Sequence, residues 1–196
     1  GPANLTKPVV FARKQQHDVL INTMGLTTEQ RSKLGLTFNN LNEAGYSYSF
    51  LPAKNVRLRS GTYSVEYSGL DNYPVQMKLT SNLTVASVSL SKTLEFVPVT
   101  VWSFDDKTIT SGTTSYKGLL FSGSVGNEQA KGHLTGKAGA TVKVPVNVGD
   151  KIRITYYYSA DFSVDGGPAI TTTSGSTGTL EFAEYAYPGT APGFVT

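Results

Sequence analysis

Three observations predict an all-β fold, a two-sheet antiparallel β-sandwich of jelly-roll or Ig-like type with a short N-terminal helix. Apolar and polar residues alternate with period two from about residue 46 onward, the pattern of half-buried strands. Gly, Pro, Asn, Asp and Ser clusters cut that pattern every ~8–12 residues, the spacing of a sandwich. The composition suits the same class. Charged residues make up 16% of the 196-residue chain, against about 25% in an average globular domain. Hydroxyls and glycine fill the gap, with 24 Thr, 19 Ser and 20 Gly.

The elements follow in chain order. Gly1-Pro2 reads as a scar of protease cleavage and stands outside the fold. Residues 3–43 read as an N-terminal arm. Within it, Thr27-Thr28-Glu29-Gln30 has the spacing of a capping box, and Gly35 stands where a helix C-cap falls, so residues 28–34 are expected to form a short helix. Residues 10–21 fit helix or strand equally. Residues 44–196 form the expected sandwich domain, with a possible subdivision in the Thr/Ser/Gly-rich stretch 106–115.

In that domain Tyr46–Phe50 is the first expected strand. Tyr63, Val65 and Tyr67 form the next stripe, then Val75, Met77 and Leu79. Leu83, Val85, Val88 and Leu90 follow with one slip of phase, which a bulge near Ala86-Ser87 explains. Leu94–Phe104 is apolar on both faces, as a central strand is, yet contains Pro98, which cannot donate to a ladder. The strand is therefore expected to break at Pro98 and pass from one sheet to the other. Further strands are expected at Tyr116–Ser122, Ala169–Thr173 and Thr179–Ala186. The strongest local signal is a hairpin over 141–158. Val142, Val144, Val146 and Val148 are answered by Ile152, Ile154, Tyr156 and Tyr158 across Gly149-Asp150, a Gly-first turn of type II′ pattern.

The sequence also excludes chemistry. It has no Cys, so disulfides, thiolate metal sites and cysteine nucleophiles are ruled out. Only His17 and His133 offer imidazoles, which argues against a His-rich metal site. Gly132-His133-Leu134-Thr135-Gly136-Lys137-Ala138-Gly139 has the look of a phosphate loop. Its glycines are one residue too close, and Ala138 stands where Ser or Thr is needed. Ser122-Gly123-Ser124-Val125-Gly126 fails as a nucleophile elbow because Ser122 replaces the first glycine. No run approaches the ~18 apolar residues of a membrane-spanning helix. No catalytic residues, metal or cofactor are expected. Asp161 and Asp165 flank a bend that has oxygen ligands for calcium, but they read as ordinary turn residues.

Charge is unevenly placed. Formal net charge is +3, too mild for nucleic-acid binding. Residues 107–153 hold seven basic and two acidic side chains; residues 155–196 hold four acids and no Lys or Arg. The C-terminal third is also rich in rings. Alternation places Tyr157 outward if Tyr156 and Tyr158 point inward. Exposed rings beside carboxylates are the composition of neutral-sugar sites and of protein interfaces. Tyr157, Asp161, Asp165, Tyr185 and Tyr187 are therefore the expected ligand-binding residues.

The expected function is a non-catalytic binding or attachment module, recognising a glycan or surface protein from an extracellular, cell-surface or virion position. Alternatives are a coat, pilus or fibre subunit that assembles as a homo-oligomer, and a β-pore-forming toxin. No motif identifies a family; only the overall look is similar to that of bacterial surface and phage fibre or baseplate β-modules.

Overall fold

The computed structural model describes residues 14–51, 55–78, 82–86, 90–156, 161–171 and 181–196. Of these, 53% lie in strands and 6% in helix, in several antiparallel sheets with one short helix. The fold is all-β and sandwich-like. The chain divides into two compact units, residues 1–69 with 77–97, and residues 70–76 with 98–196.

The first unit holds β1 (Gln16–Met24), α1 (Thr28–Lys33), β2 (Gly35–Asn40), β3 (Ser47–Phe50), β4 (Asn55–Arg59) and β5 (Gly61–Ser68). After the short strand β6 (Val75–Met77), β7 (Leu83–Val85) and β8 (Leu90–Pro98) complete it. Alternation decides the faces. His17, Val19 and Ile21 of β1 are buried while Asp18, Leu20 and Asn22 face out, so the ambiguous stretch is strand from Gln16 onward, residues 10–13 lying outside the described residues. β1 lies between β4 and β8. It is antiparallel to β4 but parallel to β8, with Val19 opposite Leu90 and Met24 opposite Glu95. Parallel pairing needs a long crossover rather than a tight turn, and the chain between these two strands is long enough to provide it. A second sheet runs β3-β2-β5-β7, antiparallel throughout. Leu36 and Phe38 of β2, Tyr63 of β5, and Leu94 and Phe96 of β8 are all fully or almost fully buried. Tyr67 meets Phe96 edge to face at 5.4 Å, which ties the two sheets into one core.

α1 is held by the expected capping box. The Gln30 backbone N–H donates to the Thr27 hydroxyl at 3.2 Å, and the Gln30 side chain accepts from the Thr27 N–H at 2.8 Å. The C-terminus differs from the expectation. Leu34 is the C-cap, in an extended conformation, and Gly35 already belongs to β2. The helix ends by running directly into a strand, so no left-handed glycine is needed.

The second unit contains β9 (Ser115–Tyr116), β10 (Leu119–Ser122), β11 (Val125–Glu128), a 3-10 turn at Gln129–Lys131 and β12 (His133–Gly136). β13 (Thr141–Val146), β14 (Lys151–Tyr156), β15 (Asp161–Phe162), β16 (Ile170–Thr171), β17 (Glu181–Ala186) and β18 (Gly193–Val195) follow. Its main sheet has the order β18-β13-β10-β9, and β11-β12, β14-β17 and β15-β16 are two-stranded ribbons. The expected strand Tyr116–Ser122 is in fact a tight hairpin. Lys117 and Gly118 both adopt positive φ, 46° and 85°, which is the type I′ requirement. Ile109, Tyr116, Leu119, Phe121 and Val125 form one core cluster, with Trp102, Phe104, Val142 and Val144 packed against it. Val146, Val164 and Val195 form another.

Two expectations are corrected here. The strand breaks at Pro98 as expected but does not pass into a second sheet, since residues 99–114 carry no regular element. The inward phase slips there: Leu94 and Phe96 are buried, then Val99, while Val101 is 82% exposed. The 141–158 hairpin does not form. β13 pairs with β10 and β18, and β14 pairs with β17. The Asn147–Asp150 turn closes with the Asp150 N–H on the Asn147 carbonyl at 3.1 Å. Its positive φ, 84°, sits on Gly149, the third residue, whereas Val148 in the second place is not left-handed. Primed hairpin turns need positive φ at the second residue; an unprimed turn splays the strands it joins. The inward phase of both strands is nevertheless as expected up to Tyr156, with only Val148 turned out. The bulge expected at Ala86-Ser87, with Leu79 and Tyr158, falls wholly or partly outside the described residues.

Phe38→Ala should destabilise the fold by about 3–5 kcal/mol, the usual cost of emptying a buried ring site. Thr27→Ala should cost about 1 kcal/mol through loss of the cap. Urea unfolding of the two variants measures both, and equal small effects would contradict the assigned core.

Candidate functional site

The C-terminal ribbon carries Tyr185, and Asp165 and Tyr187 lie beside it. β14 and β17 pair antiparallel, with Ile152 opposite Tyr185, Arg153 opposite Glu184, Ile154 opposite Ala183 and Thr155 opposite Phe182. Because strand side chains alternate, the ribbon has two distinct faces. Ile152, Ile154 and Tyr185 pack on the Val146, Val164 and Val195 cluster together with Tyr187 and Phe162. Lys151, Arg153, Thr155, Phe182, Glu184 and Ala186 are exposed on the other side.

The inward face is held by phenol hydrogen bonds. The Tyr185 hydroxyl donates to the Asp165 carboxylate at 3.2 Å. Asp165 stands in a left-handed turn, φ 52°, and its own N–H donates to the Thr196 carbonyl at 2.7 Å. Desolvation raises the Tyr185 phenol above its ordinary value, and the Asp165 carboxylate adds to the shift through its hydrogen bond and its charge. The Tyr187 hydroxyl donates to the Ala191 carbonyl at 3.1 Å, and its ring lies where a Cβ on Gly189 would fall. Tyr187 is thus a clasp for the C-terminal turn.

The outward face carries the groups a ligand meets. Phe182 is 57% exposed although its neighbours on the same strand are half-buried. The Arg153 guanidinium lies over its ring at 4.5 Å from the centroid. Arg153 donates from Nε at 3.0 Å and from Nη2 at 2.6 Å, both to Oε1 of Glu184. One carboxylate oxygen therefore fixes the guanidinium, and among the described residues no donor is bonded to Oε2.

Of the five expected residues, the structure brings Asp165, Tyr185 and Tyr187 together. Asp161 opens β15, opposite Thr171, while Tyr157 lies outside the described residues. Phe182, Arg153 and Glu184 were not singled out together by sequence reasoning. Their signal was present: in Glu181-Phe182-Ala183-Glu184-Tyr185, period two puts Phe182 and Glu184 opposite Tyr185. The acids of this third also have a cation after all, since Arg153 reaches Glu184 across the ribbon.

Asp106 and His17 are held within the framework. Burial pushes the Asp106 carboxyl up, but hydrogen bonds from Lys117 and Tyr116 and the Lys117 charge outweigh it and hold it below the ordinary range. His17 is buried, with Nε2 at 2.8 Å from the Ser60 hydroxyl. Among the described residues no group of three His, Asp or Glu side chains is placed to hold a metal ion, and no helix is long and apolar enough to cross a membrane. No family model matches this chain, and comparisons with curated proteins and with solved structures find no match either.

The raised Tyr185 phenol has a consequence for pH. A phenol raised in the folded state contributes stability that is complete below its unfolded value, near 10.0. That contribution is lost as pH climbs through the folded value. In a spectrophotometric titration Tyr185 should ionise later than an exposed tyrosine, and Asp165→Asn should bring it back toward the ordinary range. Superimposable titrations would contradict the hydrogen bond.

Proposed function

We propose that this protein is a non-catalytic attachment module, and that it recognises a glycan or glycosylated surface protein through the outward face of the β14–β17 ribbon. The reading rests on one observation above all, the exposed Phe182 ring held beside a fixed Arg153–Glu184 pair. An apolar ring on a sheet face offers a flat surface for the C–H face of a pyranose. Glu184 Oε2 accepts from sugar hydroxyls, and the remaining guanidinium N–H groups of Arg153 donate to them. Charge-assisted bonds of this kind are stronger than neutral ones. Both groups are already ordered by each other, which lowers the entropy cost of capture. The platform is built on strands, and the Tyr185–Asp165 bond and the Tyr187 clasp steady the same strand from behind.

A glycan array probed with the full chain tests the reading. A saturable hit on a neutral saccharide is expected, with affinity lowered at least ~10-fold in Phe182→Ala, a loss of the size that one stacked ring supplies. Glu184→Gln should weaken the same hit while leaving the circular-dichroism spectrum unchanged. An array with no hit, or a hit that Phe182→Ala leaves intact, would overturn it. A self-assembling subunit is the other outcome, marked by a concentration-dependent mass in light scattering that Phe182→Ala abolishes.

A further inference from the structure

A groove lies elsewhere in the same unit and differs in chemistry from the Phe182 face. It has a volume of about 360 Å³ and is lined by Thr110, Ser111, Ser124, Gly126, Thr135 and Lys137, among others. That volume falls within the range of small-molecule sites, about 300–1,000 Å³. The groove sits at the open end of the β11–β12 ribbon, where Val125 faces Gly136 and Gly126 faces Thr135. The two stretches that fail as a nucleophile elbow and a phosphate loop meet here. Ser124 and Gly126 come from the first, Thr135 and Lys137 from the second.

The lining is made of donors. It holds four hydroxyls and one ammonium, and no carboxylate. Three backbone carbonyls of the lining residues already accept: that of Ser124 from the Lys137 N–H, that of Thr110 from the Thr113 N–H, and that of Lys137 from the Ala140 N–H. Gly126 has no side chain to close the floor, and the Thr135 hydroxyl stands 3.3 Å from where its Cβ would be. Unlike Lys107, Lys117 and Lys131, which pair with Asp71, Asp106 and Glu128, Lys137 makes no salt bridge among the described residues. The acids of the surrounding stretch are committed. Glu128 holds Lys131 at 2.7 Å, and Asp150 accepts from the Asn147 N–H at 2.7 Å. No acid lines the groove beside Lys137.

We infer that this groove binds an anionic saccharide, with its sulfate or carboxylate on Lys137 and its hydroxyls among Ser111, Ser124 and Thr135. An ammonium is a compact point charge suited to a single anionic group. Flanking hydroxyls donate to the anion and exchange hydrogen bonds with the sugar. A neutral sugar would leave the ammonium without a partner and gain little. The site stands apart from the Phe182 platform and does not depend on it.

The test is a titration of the ¹⁵N-labelled full chain, followed by amide shifts, with N-acetylglucosamine 6-sulfate, glucuronate, N-acetylglucosamine and inorganic sulfate. The two acidic sugars should give saturable shifts at Ser124, Gly126 and Thr135–Lys137. Lys137→Gln should weaken them at least ~10-fold, and Thr135→Val more mildly, with the remaining spectrum unchanged. Raising the salt from 50 to 300 mM should weaken binding as well. Phe182→Ala should leave these shifts as they are, so failure of the platform and failure of the groove are read separately. Binding of N-acetylglucosamine as tight as that of its sulfate, shifts from inorganic sulfate alone, no saturable shifts, or shifts indifferent to Lys137→Gln would each overturn the inference.

Discussion

The turn at Asn147–Asp150 decides how the C-terminal part of the second unit is arranged. With its left-handed residue at the third position, it sends the chain out of the main sheet instead of back along β13. β13 is then free to take β18 on the side away from β10, so the chain end closes the sheet. β14 is free to take β17. Asp150 serves both ends of this arrangement. Its side chain accepts from the Asn147 N–H, and its carbonyl accepts from the Tyr187 N–H at 2.9 Å, which anchors the exit of β17 beside the entry of β14.

From that pairing the two faces of the ribbon follow by alternation alone. Burying Ile152, Ile154 and Tyr185 against Val146, Val164 and Val195 leaves Arg153, Phe182 and Glu184 outside. A one-residue slip of either strand would turn every side chain over. The hydrophobic cluster behind the ribbon therefore sets the register of the platform in front of it. The charged pair contributes orientation more than stability, since both partners are well exposed and exposed ion pairs are worth little.

Much of the fold was legible because period two is a local signal. The inward phase of Val142, Val144, Val146, Ile152 and Ile154 could be read directly, as could the Thr27–Gln30 capping box. Pairing was not legible to the same degree. Gly149-Asp150 looks like a Gly-first hairpin turn in one dimension, and only the backbone shows Gly149 one place further along the turn. The parallel neighbour of β1 was likewise hidden, because nothing local links Val19 to Leu90. At the candidate site, Asp165, Tyr185 and Tyr187 were legible as a group from composition. What they do was not: the rings face the cluster, and the exposed ring of the ribbon is Phe182, whose parity depends on which strand β17 joins. The Lys137 groove was hidden for a similar reason, as its residues come from stretches that motif logic had discarded one at a time.

Cross-strand nuclear Overhauser effects in the uniformly labelled chain test the central claim most directly. The account predicts backbone Hα–Hα and amide contacts between Arg153 and Glu184, and between Ile154 and Ala183, with no backbone cross-strand contacts between β13 and β14 beyond the turn, although the Val146 and Ile152 side chains share one core cluster. Backbone contacts pairing Val144 or Val146 with Ile152 or Ile154 as hairpin neighbours would contradict it, and the outward face built on β14 and β17 would fall with that pairing.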